Sequence, residues 1–579
     1  MPYARISAKT PRKGRFSWPS VIIALGSLVY LASWLAPNHY PPWPSFHNEA
    51  LAFFALILLA LAGLLTSRNA QLDVIPLLAF TLVIVVWLQW AVGLVSYRGD
   101  AAVSSLYLAG FGFAWWLGGL AGASARGRWK CLDGFAVLLV GAAVISVYIA
   151  LLQWLGLEAG NANLVVEKES GGRPGANLAQ PNHLATLLLM ASTLCLHLYD
   201  RAYIKGWQLA ALLFWLAFGL TMAESRASWI SALALGVFLV WRGQHWGRRA
   251  LTFLLIWWAL LAGLWLAWKP VNETLLLTAT REGATVTQDS ARLHMWQQMV
   301  AGIERSPWWG YGWRQTVVGQ KAGASAAPAA PITDYAHNVV LDLCLWVGLP
   351  LALLALLAIA WWLLRAAMQV RDARQWVLLA AVVPVLVHSL VEFPFAYAYF
   401  LFTCAALLGM LATLQGGGGG KKWLIHRQIA LPTMTLLLSL FVAISLWATH
   451  DYLIAEEDYR VMRFEMRKVG LRPQGHEPAE LLLLDQLGEM LQLGRILPSP
   501  STPERDIERF RVASKSTMWA TAQLRYAVAL GLNGRPEEAT RQLQQMRDFY
   551  GEKSYMQARQ FVIELQKEQY PQLAAIKLP

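Results

Sequence analysis

The recurrence of apolar runs about as long as a bilayer is thick restricts this chain more than any other feature. A hydrocarbon core of roughly 30 Å is crossed by about 20 residues of helix. Runs of that kind fall near 20–37, 50–67, 72–95, 102–123 and 132–156, then 182–200, 206–222, 227–242 and 249–268, and finally 338–364, 375–391, 398–414 and 429–449. Lipid offers the backbone no hydrogen-bond partners, so runs of this length must be helices. Thirteen of them predict an all-α, polytopic membrane protein with about 13 transmembrane helices. The composition agrees, since 56% hydrophobic and 14% charged residues do not suit a soluble domain.

The formal charge of +13 would point to nucleic acid if it coated a globular surface. Here the basic residues lie between apolar runs, which is the signature of membrane orientation and argues against nucleic-acid binding. Assigning alternate loops to opposite sides puts twenty Lys and Arg on one face, beginning with Arg5, Lys9, Arg12, Lys13 and Arg15. The short loops opposite hold four: Arg98, Lys168, Arg173 and Arg226. The basic residues 1–19 are therefore expected in the cytoplasm, with the first run a retained anchor. Cys131, Cys195, Cys344 and Cys404 sit in or beside apolar runs without paired spacing, which predicts neither disulfides nor a zinc site. Gly416 to Gly420, followed by Lys421 and Lys422, reads as a flexible connector and lacks the context of a phosphate-binding loop.

Three segments then face outward: about 157–181, about 269–336 and 450–579. They hold most of the unusual polar residues. The first ends in GRPGANLAQPNH, which delivers Arg173, Gln180, Asn182 and His183 to the mouth of a helix. This is either a capped helix entry or an amide and a guanidinium presented to a polar ligand. Arg226, after Glu224 and Ser225, either snorkels to the headgroups or binds an anion. In the large loop, Leu293, Trp296, Val300 and Ile303 recur at helical spacing and predict an amphipathic helix on the interface, with Arg292 and Arg305 on its polar side. The aromatic residues of PWWGYGW, 307–313, suit the headgroup level.

The stretch DYAHNVVLDLCLWVGLP, 334–350, places His337 and Asn338 where this polar loop becomes an apolar helix. Asp342, one turn on, is a carboxylate that is costly to leave unpaired there. Histidine exchanges protons near neutral pH, so a polar cluster around His337 is a candidate for acid–base chemistry. The last outward turn, HSLVEFPFAYAYF, offers His388, Glu392, Tyr397 and Tyr399, with Glu392 a candidate partner for one of the arginines.

Taken together, GRPGANLAQPNH, Ser225 and Arg226, HNVVLDLCLWVGLP and VEFPFAYAYF resemble the bacterial protein O-oligosaccharyltransferases of the O-antigen ligase and polymerase superfamily. The resemblance covers about 130–415. Its pattern of His, then Asn, Ser or Gln, nine residues and GxxG is met by His337, Asn338 and Gly348, while Leu351 replaces the last Gly. The resemblance implies a metal-independent transferase without cofactors, in the inner membrane of a Gram-negative bacterium and with its site facing the periplasm. Such an enzyme moves an oligosaccharide from undecaprenyl diphosphate to Ser or Thr hydroxyls of an acceptor protein such as a type IV pilin. It further implies that His337 and Gln180 are catalytic, that Arg226 and Arg292 bind the diphosphate, and that Tyr397 or Tyr399 is functional. Arg173 and Asn338 complete the expected substrate-binding set.

The domain division expected is 1–19 cytoplasmic, 20–449 transmembrane with the loop 269–336, and 450–579 a helical periplasmic domain. Ala520 to Met546 reads as two amphipathic helices joined by a Gly-containing turn, similar to one tetratricopeptide unit. The competing readings are a ligase acting on lipid A core, an O-antigen polymerase, and a transporter or flippase of lipid-linked sugars. A transporter usually carries repeated halves and mid-membrane ionisable groups, and no such repeat is evident.

Overall fold

The computed structural model describes residues 17–66, 74–123, 128–161, 163–168, 172–246, 248–277, 285–416, 427–467 and 476–579. Among these the chain is helical, with no strand. The first membrane helices are α1 (Trp18–Leu35), α2 (Phe46–Thr66), α3 (Val74–Ala91), α4 (Arg98–Ala123) and α5 (Arg128–Trp154). They are followed by α6 (Pro181–Asp200), α7 (Gly206–Ala223), α8 (Arg226–Arg242) and α9 (Arg248–Thr274). The large loop contains α10 (Thr285–Arg305) and the short α11 (Thr316–Ala322). After it come α12 (Val339–Met368), α13 (Ala373–Ala380), α14 (Val383–His388), α15 (Ala398–Gln415) and α16 (Arg427–Met466). The C-terminal part is α17 (Asp485–Leu493), α18 (Glu504–Ser516), α19 (Ala520–Leu532) and α20 (Pro536–Glu568). The N-terminal basic residues 1–16 and the glycine connector 417–426 lie outside the described residues.

Every one of the thirteen apolar runs is helical, and ten helices among the described residues are long and apolar enough to cross a membrane. The remaining three runs depart for physical reasons. Helix α6 is buried almost all round and turns Thr186, Ser192, Thr193 and His197 into the core, so its sequence is less apolar than that of a lipid-facing helix. Helix α8 has 17 residues. The run 375–391 is split into α13 and α14 at Ala381 and Val382, just ahead of Pro384, whose ring and missing N–H disrupt a continuous helix.

Helices α4 and α15 pack backbone to backbone. A Cβ on Gly118 would stand 1.9 Å from the Ala406 carbonyl oxygen, so only glycine permits this approach, as in small-residue seams between membrane helices. Helix α12 breaks at Gly348, whose φ of 78° and ψ of 165° are non-helical, two residues before Pro350. The carbonyls freed there are taken by the aromatic loop: the Tyr311 N–H donates to Leu345 (2.6 Å) and the Gly312 N–H to Trp346 (3.2 Å). PWWGYGW therefore does two things. Trp308 and Trp309 are 70% and 76% exposed, as headgroup residues would be, while Gly310 to Gly312 dock on the kink. Leu351 is 42% exposed on the outside of α12, so its replacement of a glycine leaves the kink untouched.

Helix α10 forms as expected, but with a different buried face. Met295, Met299 and Ile303 are buried against α11 and α12, whereas Leu293 and Val300 are exposed. The reason is polar: Gln298 sits on the buried face and donates to the Ala327 carbonyl (2.8 Å), which fixes the rotation of the helix. Helix α16 continues through position 449 to Met466, so the expected domain boundary falls inside a helix. Asp451 anchors that extension by accepting from the Leu483 and Leu484 N–H groups (2.7 and 3.0 Å). The C-terminal helices share their own core around Phe510, Leu530 and Leu543. The expected pair within 520–546 is α19 and the start of α20, joined through Gly534 at φ 79°.

Candidate active site

A buried carboxylate assembles the site. Glu392 lies in the turn after α14 with 2% of its side chain exposed. It gathers four side chains from three stretches that are far apart in sequence. His337 Nδ1 is 2.8 Å from Oε2, and Asn182 Nδ2 donates to Oε1 (2.6 Å). Gln180 Nε2 reaches Oε2 at 3.5 Å, and the Arg292 guanidinium pairs with Oε1. Burial opposes ionisation of this carboxyl, but the hydrogen bond from His337 and the neighbouring Arg292 guanidinium outweigh it and hold Glu392 below the usual carboxylate range.

That pairing fixes the tautomer of His337. An ionised carboxylate only accepts, so Nδ1 carries the proton and, in the neutral ring, Nε2 is left with a lone pair. The side chain is 23% exposed, so the ring is held at one end and open at the other. The backbone is held equally firmly. His337 has φ 51°, a left-handed conformation that costs a non-glycine residue of order 1–2 kcal/mol and persists only where its surroundings enforce it. On one side Asp342 accepts from the Ala336 N–H (2.9 Å) and Trp296 Nε1 donates to the Ala336 carbonyl (2.8 Å). On the other, the Val339 N–H donates to the Ser389 carbonyl (2.8 Å). The carboxylate that looked costly is satisfied on one side only: Asp342 Oδ1 also accepts from the Thr316 hydroxyl (2.7 Å), while Oδ2 is buried without a partner.

The remaining candidates fall into two groups. Gln180 and Asn338 cap α6 and α12: Gln180 Oε1 accepts from the His183 N–H (2.9 Å), and Asn338 Oδ1 accepts from the Val340 and Leu341 N–H groups (2.9 and 3.3 Å). Asn338 thus positions His337, while Gln180 caps and also reaches Glu392. Arg173 donates through Nη1 to the carbonyls of Ala223 and Glu224 (3.2 and 2.9 Å), bracing the turn that presents Arg226. Arg226 itself is exposed in the first turn of α8, a helix that packs on α14. The two tyrosines separate. Tyr397 is half-buried beside Phe393 and His183, whereas Tyr399 is fully buried against Trp34 and Phe400.

Sequence reasoning named Glu392 as a partner for an arginine but not as the centre, because nothing local shows that positions 180, 182, 292 and 337 converge. It also passed over Arg314, Tyr335, Asp100 and Glu49, which lie close to this site. Among the described residues no group of three or more His, Cys, Asp or Glu is arranged to hold a metal ion.

Comparison with known proteins adds two family matches and two relatives. Residues 211–356 match the family described as O-Antigen ligase, and residues 376–564 match the C-terminal part of a virulence factor membrane-bound polymerase. The chain is 29% identical over 551 residues to the general O-oligosaccharyltransferase of Acinetobacter baylyi, covering 90% of this chain and 91% of that one. It is 30% identical over 248 residues to the ComP-specific O-oligosaccharyltransferase of the same organism, covering 42% and 44%.

Proposed function

Because this chain belongs to the O-oligosaccharyltransferases of the O-antigen ligase superfamily and transfers O-linked glycans to protein, we propose that its donor is a glycan on undecaprenyl diphosphate and its acceptor a Ser or Thr hydroxyl of a periplasmic protein such as a type IV pilin. The reaction runs at the outer face of the inner membrane, without a metal. The observation that carries the reading is the convergence of His337, Arg292, Asn182 and Gln180 on one buried carboxylate.

His337 accepts the acceptor's hydroxyl proton at Nε2, while Glu392 holds the Nδ1 proton and stabilises the imidazolium that forms. The hydroxyl oxygen bonds to the anomeric carbon, and the bond from that carbon to the diphosphate oxygen breaks with its electron pair. The departing diphosphate is then neutralised by Arg226 and Arg292. Guanidinium suits this role because it grips phosphoryl oxygens in pairs and keeps its charge. Arg292 has donors to spare, since its side chain is 40% exposed while one nitrogen rests on Glu392. Arg173 and Asn338 act through the residues they brace, and Tyr397 fits a substrate-facing role better than Tyr399.

The test is the intact mass of a pilin co-expressed with a lipid-linked glycan pathway and either this protein or its His337→Ala variant at matched membrane levels. The expected result is a glycan-sized mass gain that falls by about 10²-fold or more in the variant, the usual size of a general-base contribution. A gain that survives His337→Ala removes His337 as the base. No gain with the unsubstituted protein and a compatible pilin rejects the protein acceptor.

A further inference from the structure

Next to His337 a ladder of rings leads to a second cation that the transfer chemistry leaves unused. His337 stands edge-on to Phe393 (4.6 Å, 89°), Phe393 stacks on Tyr335 (5.3 Å, 10°), and the Arg314 guanidinium lies over the Tyr335 ring at 5.8 Å. Arg314, like His337, is a non-glycine residue in the left-handed region, at φ 61°. The two residues before it are pinned from α12 and α3: the Gly312 N–H donates to the Trp346 carbonyl (3.2 Å) and the Trp313 N–H to Gln89 Oε1 (2.9 Å). A strained residue held this firmly, one ring stack from a reacting centre, is a sign of preorganisation.

Arg314 has donors to offer. Among the described residues its guanidinium makes no hydrogen bond and no ion pair, although it is half-buried and faces Asp100, Tyr107, Asp334 and Tyr335. The hydroxyls of Tyr335 and Tyr397 likewise make no hydrogen bond there, and both residues are half-buried. Asp334 is exposed, and Asp100 accepts only from Gln315 Nε2 at 3.3 Å. The cluster thus mixes open donors with open acceptors at an accessible surface.

We propose that Arg314, Tyr335, Asp100 and Asp334 form the subsite for the uncharged sugars of the transferred glycan, which rests on the donor reading above. Charge decides between sugar and phosphate. Three carboxyl groups, Asp100, Asp334 and Glu49, stand near one guanidinium and make the cluster acidic, which disfavours a diphosphate. A sugar hydroxyl both donates and accepts, so it satisfies the guanidinium and the carboxylates together. Arg226 and Arg292 are left for the diphosphate. The arrangement makes the glycan's polar groups a recognition element separate from the leaving group.

The test uses the purified full-length protein in liposomes, a short polyprenyl diphosphate bearing a neutral disaccharide as donor, and the same lipid without sugar as competitor. Arg314→Ala is expected to raise KM for the disaccharide donor tenfold or more, with kcat within about threefold and inhibition by the sugarless lipid unchanged. Asp334→Asn, at an exposed position, is expected to show the same pattern with a smaller rise. Equal weakening of sugarless-lipid inhibition would make Arg314 a diphosphate ligand and overturn the proposal. A loss of thermal stability and kcat without a KM change would make it a structural cation, and no change in either variant would end the idea. Equilibrium binding of the two lipids to His337→Ala protein, measured without acceptor, reads the subsite even if transfer to protein fails. Preference for the sugar-bearing lipid that disappears with Arg314→Ala supports the subsite, and equal binding of both lipids rejects it.

Discussion

Among the described residues three buried carboxylates, Asp133, Glu392 and Asp458, collect a histidine and an arginine each, and the first two differ in what is left open. Asp133 on α5 accepts from His197 Nε2 (2.8 Å), from Arg201 Nε and Nη2 (3.2 and 3.3 Å) and from the Tyr203 hydroxyl (3.0 Å). Glu392 takes His337, Arg292, Asn182 and Gln180. The difference lies in the histidine. His197 is 1% exposed and its Nδ1 is buried without a partner, so nothing can reach it. His337 is 23% exposed, with its outer nitrogen open. The Asp133 cluster sews α5 to α6 beside a loop expected in the cytoplasm, whereas the Glu392 cluster opens beside the expected outer mouth. A carboxylate–histidine pair is therefore not in itself a site. Access to the far nitrogen is needed as well, and because His476 on Asp458 is also 18% exposed, it is the amides and the partly exposed guanidinium gathered on Glu392 that complete the distinction.

The sharpest way to break this comparison is to remove one negative charge from each cluster. Glu392→Gln should keep the shape but lose the charge that fixes the His337 tautomer and pairs with Arg292. Transfer should fall by roughly 10²–10⁴-fold, the range for a positioned acid–base group, with the protein still recovered folded. Activity near the unsubstituted level would mean that His337 does not act through Glu392. Asp133→Asn should do the reverse. The buried His197 ring and the Tyr203 hydroxyl lose a charged acceptor, while Arg201, 30% exposed, is compensated by solvent, a cost of about 1–3 kcal/mol seen as a lower melting temperature in detergent. Turnover per folded molecule should stay within twofold, and a selective loss of turnover would place Asp133 in the chemistry.

The sequence shows why one cluster was foreseeable in outline and the other was not. Helix positions were legible because lipid forces long apolar runs, and even the broken run 375–391 carries its Pro384. His337 was legible because a histidine between a polar loop and an apolar helix is unusual, and Glu392 because a lone carboxylate beside Pro394 demands a partner. Which arginine supplies that partner was not legible. Arg292 reaches Glu392 across 100 positions, through a rotation of α10 set by the buried Gln298. Leu293 and Val300 gave the helix its period but not its face, since a single satisfied amide outweighed two exposed side chains. The loop at Gln180 looked like either a helix entry capped by an asparagine or a ligand-binding stretch, and in the structure Gln180 is the cap of α6, while Asn338, expected to bind substrate, caps α12. Arg314 had no local signal at all. It follows an aromatic loop whose role is to satisfy the Gly348 kink, and its neighbours Asp100 and Asp334 come from distant segments.

Lys321 sharpens the comparison from the other side, because among the described residues it is a buried amine with no carboxylate partner. Its Nζ donates to the Ser514 and Thr517 carbonyls and lies over the rings of Phe549 (5.2 Å) and Tyr550 (5.9 Å). It therefore joins α11, on the path to His337, to the C-terminal helices. Burial pulls its ammonium down to about 7, whereas an unfolded lysine titrates at about 10.4. Between those values the unfolded chain binds more protons, so stability should rise with pH from about 7 toward 10 and be flat below 7. Two pH units of that window are worth at most about 2.7 kcal/mol. Lys321→Met keeps the stem against Phe549 and has no charge to desolvate, so its melting temperature should match or exceed the original at pH 7 and lose the rise toward pH 9. If the original shows no rise, the carbonyls and rings alone hold the charge. In that case a buried cation here is stabilised without any carboxylate, which neither the Asp133 nor the Glu392 cluster could have revealed.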